Sequence, residues 1–484
     1  MPGSQSSIDA RRALRAAIAT TASRVPPGNG VPSIRHLALI AESEPIVTPA
    51  VWTDSAALTL ATQFVARSRQ DSLEEGCRLI SRYFDGVRLR RPASLSAGVR
   101  THLYACVAEY SGALGWTHMG ARFAAEAQLF ADTPSLLYRT TTLIALAQAM
   151  NGEFAAADTE IRRAQELFDA HGWPAVEKNY GHFAAEIAVA SSRADVTGLR
   201  ATSSQMTATH PDDPYWIFTA GMADVTAHLY SREFAEAFAL SSQLLFSSRR
   251  LSSHSFPRQN LVCLHSDILV ARGEFTQALS LLAQHESSPG HGICFASQRA
   301  ASLLGLGRQR ELLAETEACA ADEAEHNLRT LVPLLVRRAV AFQRQGEARR
   351  AMQSFESALL LLVRAGISVM PFVMLPRDEV RALLDAVADA RPALRGDIAE
   401  LRVALPQVAA PLSTEPAPRA DAGLTAAERE LAAMLPTPMT LPDIALARGV
   451  SVNTVKSQAR SIYTKLGVGG RRAAVEVLSR SLVR

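Results

Sequence analysis

The sequence predicts an all-α protein: a superhelix of stacked helical hairpins, followed by a separate module of four short helices. Three observations lead there. A small turn element recurs about every 40 residues between apolar helical segments, no strand-like alternation of any length competes with it, and a proline-rich break precedes a short basic tail. At 484 residues the chain exceeds what one hydrophobic core holds, which sets in at about 250–300 residues. Its 48% apolar and 20% charged composition is that of a folded chain, not a disordered one. The longest apolar runs, such as Ala358–Val363, fall far short of the roughly 20 residues a membrane helix needs, so no membrane partner is expected. The five cysteines (77, 106, 263, 294 and 319) are scattered and show no CxxC spacing. That argues against a disulfide framework or a cysteine-rich metal site, and fits a reducing, cytoplasmic setting. The N-terminal apolar stretch Ala16–Ala19 is too short for an export signal and reads as part of a short helix ended by Pro26-Pro27-Gly28.

The turn element stands at Gly152-Glu153-Phe154, Arg232-Glu233-Phe234, Gly273-Glu274-Phe275, Gly307-Arg308-Gln309 and Gly346-Glu347-Ala348. Weaker copies are Leu114-Gly115-Trp116 and Ala194-Asp195-Val196. Before each turn lies an apolar helical segment, for example Leu143–Ala147 or Asp267–Ala271. After it, a small residue comes three positions on and a second apolar or small residue four beyond that: Ala157/Ile161, Ala237/Ser241, Ala278/Leu282 and Ala351/Phe355. Spacings of three and four share one helix face, and the small residue lets a second helix approach closely. A lone pair of helices cannot bury its face, so the pairs must stack. Trp116, Trp173 and Trp216 are expected in the helix-packing core.

With its Gly-Glu-aromatic turn, the following alanine and Ala351-x-x-x-Phe355-x-x-Ala358, this pattern resembles tetratricopeptide and related helical-hairpin repeats. The resemblance spans roughly residues 70–365 and concerns architecture; spacings near 40 exceed the usual 34 of that repeat. Residues 367–403 continue as helix, with periodic parts at 377–387 and 394–405. The organisation expected is an N-terminal segment at 1–50, repeats at 51–404, a semi-extended linker at 405–423 and the module at 424–484.

Charge shifts across the linker. The module holds nine basic and four acidic residues, a net +5 that leaves −2 on the other 423 residues. Between Asp443 and Glu476 stand six bases and no acid. A basic patch confined to one small module is the footprint of a phosphate binder. Thr425-Ala426-Ala427-Glu428 is a capping box opening helix one, and Thr440-Leu441-Pro442-Asp443 a second one opening helix two, which runs through Ala447. Gly449 supplies a tight turn, Ser451 caps helix three, which runs to about Leu466, and helix four begins at Arg471. Two helices joined by a short glycine turn, the second basic, form a helix-turn-helix layout.

At 100° per residue, Asn453, Lys456, Ser457, Arg460 and Thr464 fall on one side of helix three, and Val452, Val455, Ala459, Ile462 and Leu466 on the other. Those polar side chains suit a major groove: lysine and arginine for guanine or phosphate, asparagine for adenine, serine and threonine for either. Thr454 and Lys465 complete the candidate contacts on this helix. Arg471 and Arg472, at the start of helix four, are expected as phosphate contacts.

Taken in order, Leu424-Thr425-x-x-Glu428-Arg429-Glu430-Leu431, Ile444-Ala445, Val450-Ser451-x-x-Thr454-Val455-Lys456, Lys465-Leu466-Gly467-Val468 and Arg471-x-x-Ala474-Val475 resemble the C-terminal DNA-binding domain of LuxR-type transcriptional regulators. The resemblance covers the whole module. It implies that helix three enters the major groove of double-stranded DNA, that Thr454, Lys456, Ser457 and Arg460 contact it, and that helix four joins two chains into a homodimer on DNA. Gly469-Gly470 departs from the pattern, replacing a basic residue and a polar cap.

Large LuxR-type regulators of the maltose-regulator type carry helical repeats behind a nucleotide-binding module. That module needs a glycine-rich loop ending in Lys-Ser/Thr; this chain has no Gly-Lys pair, and its first lysine is Lys178. It is similar to the ATPase-less back half of such a protein, and no strand-helix alternation suggests a receiver domain. His291-Gly292-Ile293-Cys294 has a metal-like spacing but no companions, and reads as a loop. No catalytic residues, cofactor or metal are expected. The leading expectation is a DNA-binding transcriptional regulator whose repeats receive a small-molecule or protein effector. The alternative is a repeat scaffold or adaptor whose terminal module serves only dimerisation.

Overall fold

The computed structural model describes residues 49–405 and 424–475, apart from short stretches at 71–72, 92, 247–254, 288–291, 322–325, 436, 438, 466–469 and 472–473. The expected N-terminal helix and almost all of the linker lie outside the described residues. Within them the architecture is all-α, as the sequence predicts. The exceptions are one antiparallel pair of two-residue strands, β1 (Phe84–Asp85) and β2 (Arg88–Leu89), and a lone bridge between Trp52 and Ala93. Strands this short leave no alternation to read.

Helices α1 (Asp54–Gln70) and α2 (Leu73–Tyr83) come first. Hairpins follow: α3 (Ala97–Ala113) with α4 (Thr117–Gln128), α5 (Pro134–Asn151) with α6 (Phe154–Ala170), and α7 (Tyr180–Ser192) with α8 (Val196–Thr209). Next are α9 (Pro214–Tyr230) with α10 (Phe234–Phe246), and α11 (Ser255–Ala271) with α12 (Phe275–Leu282). In the sixth hairpin α13 (Phe295–Gly305) faces a broken second arm, α14 (Gln309–Glu315) and α15 (Glu317–Ala321). The seventh pairs α16 (Leu328–Arg344) with α17 (Ala348–Ala365), and α18 (Arg377–Ala390) and α19 (Arg395–Ala404) close the array. The terminal module supplies α20 (Ala426–Met434), α21 (Leu441–Ala447) and α22 (Val452–Lys465). Among the described residues, no helix is long and apolar enough to cross a membrane.

The recurring turn has one physical form. At each copy the first helix ends on a residue with positive φ: Gly115, Gly152, Ala194, Arg232, Gly273, Gly307 and Gly346. That residue's N–H bonds back three positions and the next N–H five, as in Gly152 to Ala149 (3.1 Å) and Glu153 to Gln148 (2.9 Å). This is a Schellman closure, which satisfies the helix's last carbonyls. In the first copy the closure falls on Gly115, one residue later than the sequence triplet begins. The small residue after each turn is buried, with Ala157, Ala237 and Ala278 at 0% exposure and Ala351 at 2%. At two turns the left-handed residue is not glycine, Arg232 with φ 64° and Ala194 with φ 53°. Replacing Arg232 with glycine is therefore expected to stabilise the repeats by about 1 kcal/mol, the left-handed penalty of an L side chain. Denaturant unfolding of the variant beside the native chain measures this; a lowered midpoint would refute it.

The superhelix coils tightly enough for its turns to touch. The Gly152 turn meets the start of α16, where a Cβ on Gly152 would stand 2.6 Å from the Arg329 nitrogen. Gly366, after α17, lies against Ala155 at the start of α6, and the Val369 N–H donates to the Ser192 carbonyl at 2.9 Å. Gly292 packs on the Gly115 carbonyl. Glycine at these points removes the side chain that would hold the two backbones apart.

The terminal module packs against the fourth and fifth hairpins of this array. Helices α20 and α21 pack on α10. The Gln277 amide on α12 donates to Glu430 on α20, whose other oxygen accepts from Arg448 at 2.9 Å.

Candidate functional site

Two places qualify: the outward face of α22 and a cavity inside the superhelix.

The module is built as its sequence dictates. Thr425 and Thr440 both form complete capping boxes, with Glu428 and Asp443. Gly449 adopts φ 63° between α21 and α22. Val455 and Ile462 are fully buried and Ala459 is 2% exposed, packed with Ile444, Ala445 and Leu431. On the other side Asn453, Thr454, Lys456, Ser457, Arg460 and Thr464 are all exposed. Ser451 caps the helix, its hydroxyl accepting from the Thr454 N–H at 3.1 Å. The structure thus leaves all six of these residues exposed, five of them on one face of the helix.

The module's cations divide into two kinds. Among the described residues, Lys456 and Arg460 have no ion-pair partner. Arg448 pairs with Glu430 at 2.9 Å and also donates to Gln458 and to the Ala427 carbonyl. Two expected DNA contacts are otherwise engaged. Lys465 reaches back to Glu428, Nζ to Oε2 at 2.5 Å, so its charge is partly neutralised inside the module. Arg471 is half-buried and donates to three main-chain carbonyls of the α20–α21 loop: Leu435 (2.8 Å), Thr437 (2.6 Å) and Met439 (2.6 Å). A guanidinium forked over three carbonyls holds the loop, so the structure gives Arg471 a fold-holding role beside the phosphate role expected of it. Charge counting missed this because those carbonyls belong to a loop 32 to 36 residues earlier in the chain. Arg472, Leu466 and most of helix four lie outside the described residues; Ala474 is fully buried in the module.

Glu428 ties α20 to α22. Its carboxylate accepts from Lys465, from the Ser461 hydroxyl (2.5 Å) and from the Thr425 N–H (2.6 Å). Chiefly the Lys465 bond, then those of Ser461 and Thr425, pull its pKa down to about 2. The support is therefore complete above the ordinary glutamate range and is lost as pH falls from about 4.5 through about 2. Amide exchange of α20 in the full-length chain, corrected for intrinsic rates, is expected to lose protection over that window. Glu428→Gln should flatten the dependence, and an unchanged profile would contradict the assignment.

The closed superhelix surrounds a cavity of about 850 Å³, within the roughly 300–1,000 Å³ of small-ligand sites. Tyr138, Trp173, Tyr180 and Trp216 contribute aromatic wall. All three tryptophans pack against core clusters as expected, Trp216 at 2% exposure and Trp116 and Trp173 half-buried, and Trp173 and Trp216 also line the cavity. Polar groups converge from α11 and α16. Burial, opposed by the nearby Arg337, pushes the Asp267 carboxyl up to about 6. Burial likewise holds the Arg329 and Arg337 guanidiniums below their ordinary range. Arg329 donates to Asn260 Oδ1 at 2.9 Å, and Arg337 to the Ser297 carbonyl at 2.6 Å. Asp267 Oδ1 and Arg337 Nε have no hydrogen-bond partner among the described residues. Sequence reading missed this site, because its groups come from five or more hairpins and meet only when the superhelix closes.

Fold and site together define a helical-repeat protein with an internal ligand-sized cavity and a C-terminal module of helix-turn-helix shape. No family model matches the sequence, and no curated protein matches it. Among solved structures the chain is similar to a Rap protein complexed with competence and sporulation factor. That similarity has 11% identity and a TM-score of 0.49, covering 74% of this chain and 99% of that one.

Proposed function

We propose that this chain is a sequence-specific DNA-binding transcriptional regulator of the LuxR type, whose helical repeats receive an effector in the central cavity. The observation that carries the reading is α22. One face is buried in the module, and the other presents only polar side chains, with Lys456 and Arg460 exposed and not ion-paired among the described residues. A basic helix held from behind and open in front is what a major-groove reader requires. Asp267, Arg329 and Arg337 line the cavity together with Tyr138, Trp173 and Tyr180, and that mixture favours an effector with both polar and apolar parts. Helix α11 carries Asp267 into the cavity and pairs with α12, whose Gln277 holds the module through Glu430, so the two sites are physically continuous.

The test is genome-wide immunoprecipitation of the full-length protein with the Lys456→Ala/Arg460→Ala double variant as control. Discrete peaks lost in the control support the regulator. No enrichment with either protein supports the scaffold, with the module serving self-association. On a recovered site, a base contact by Lys456 or Arg460 is expected to cost the alanine variant roughly 1–3 kcal/mol of discrimination at one base pair. A phosphate contact would instead lower affinity for all DNA and reduce the log–log salt slope by about one.

A further inference from the structure

The broken arm of the sixth hairpin carries a cluster that neither reading uses. Cys294 is the N-cap of α13, Cys319 lies in α15, and His326 directly precedes the N-cap of α16, Asn327. All three are buried, at 3%, 7% and 5% exposure, and one ligand atom from each lies within 4.8 Å of the others. The two sulfurs are 3.8 Å apart. Two thiolates bound at about 2.3 Å to a tetrahedral metal ion also stand about 3.8 Å apart. A disulfide would need them to close to about 2.05 Å. The Ser297 N–H donates to Cys294 Sγ at 3.4 Å, and Arg337 donates to the carbonyl and hydroxyl of that same serine, which fixes the side chain's place in the cluster.

We propose that Cys294, Cys319 and His326 form a binding site for a thiophilic divalent cation of the zinc type, which staples the broken arm to its neighbours. Two thiolates and an imidazole are the donor set such ions select, and three protein ligands leave the fourth tetrahedral position for water. The place has a need for it. Helices α14 and α15 have seven and five residues, well below the length at which a helix holds itself. Arg338, paired with Glu317 at 2.7 Å and donating to Thr316, is a second tie across the same break. The ligand spacing is invisible to a motif search. The companions of Cys294 lie beyond position 318, on other elements, and are joined to it only by the stacking of α13 and α16. The proposal is independent of DNA binding.

The experiment uses full-length protein, reduced and chelator-stripped, titrated with Co(II) and then Zn(II). The expected result is a thiolate-to-cobalt charge-transfer band with tetrahedral ligand-field absorption, saturating at about one equivalent and bleached by Zn(II). Zn(II) should also raise the melting temperature of the native chain, a readout that needs no variant. Cys319→Ser should weaken binding by more than about 100-fold, beyond the upper end of what losing an outer partner of a ligand costs. His326→Ala should remove the tetrahedral signature, and Cys106→Ser should change neither. Absence of the band in the native chain, or its persistence in Cys319→Ser, overturns the proposal. So does a reduced protein that takes no metal and whose Cys294 and Cys319 join as a disulfide under mild oxidant.

Discussion

Gly152→Ala should cost far more stability than Gly273→Ala, although both glycines close a hairpin turn in the left-handed region, with φ 92° and 77°. At Gly273 no atom lies within 4 Å of where a Cβ would stand, so the substitution should cost only the left-handed penalty of about 1–2 kcal/mol. At Gly152 the new carbon would meet the Arg329 nitrogen at 2.6 Å, Leu328 Cβ at 3.0 Å and the Leu328 carbonyl carbon at 3.1 Å. These are backbone and near-backbone atoms that cannot swing aside. Overpacking at such a point adds about 1–3 kcal/mol, and the relaxation available is to pry α16 from the α5–α6 turn. The superhelix would then open where it closes on itself, and the cavity wall carrying Arg329 would move with it. Denaturant unfolding of both variants reads the difference, and amide exchange at the start of α16 locates it. Equal losses for the two substitutions would mean that the turns of the superhelix do not bear on each other there.

Arg471→Ala is the second large effect expected, and it separates holding from binding. Three carbonyls, Leu435, Thr437 and Met439, lose a charged donor at once. Hydrogen bonds to charged groups contribute about 1.5–3 kcal/mol each. The loop is only part-buried and the freed carbonyls regain water, so a net loss of about 3 kcal/mol is the reasonable expectation. Arg471→Lys should recover little of it, since an ammonium cannot fork over three acceptors. In the full-length chain, amide exchange across α20 and α21 should accelerate in both variants. On the proposed DNA-binding function, affinity should fall for all sequences alike, while the salt slope of the folded fraction stays unchanged. A phosphate contact would do the reverse, leaving exchange alone and lowering the slope by about one. That outcome would keep Arg471 in the DNA-contacting set.

The elements legible in the sequence are those whose causes are local. The hairpin turns announce themselves because a Schellman closure demands a left-handed residue, and glycine fills five of the seven such positions. Even Ala194 and Arg232, which break the glycine rule, could be placed by the period and by the residue that opens the next helix. The module was equally readable. Thr425 with Glu428 and Thr440 with Asp443 define two helix starts within four residues each, and the 3.6-residue period of α22 sorts its buried side from its open one.

What the sequence by itself determined, then, is the all-α class, the hairpin turns, the capped helix starts and the buried side of α22, since each rests on contacts within about seven residues or on a helix's own periodicity. Tertiary structure alone decided the rest. Which cations stand open depends on what folds against them: Lys456 and Arg460 are exposed, Lys465 meets Glu428 from 37 residues away, and Arg471 meets a loop 32 to 36 residues earlier in the chain. The cavity and the Cys294–Cys319–His326 cluster arise from the pitch of the superhelix. That pitch is summed from the packing angles of many hairpins, and no single one of them encodes it.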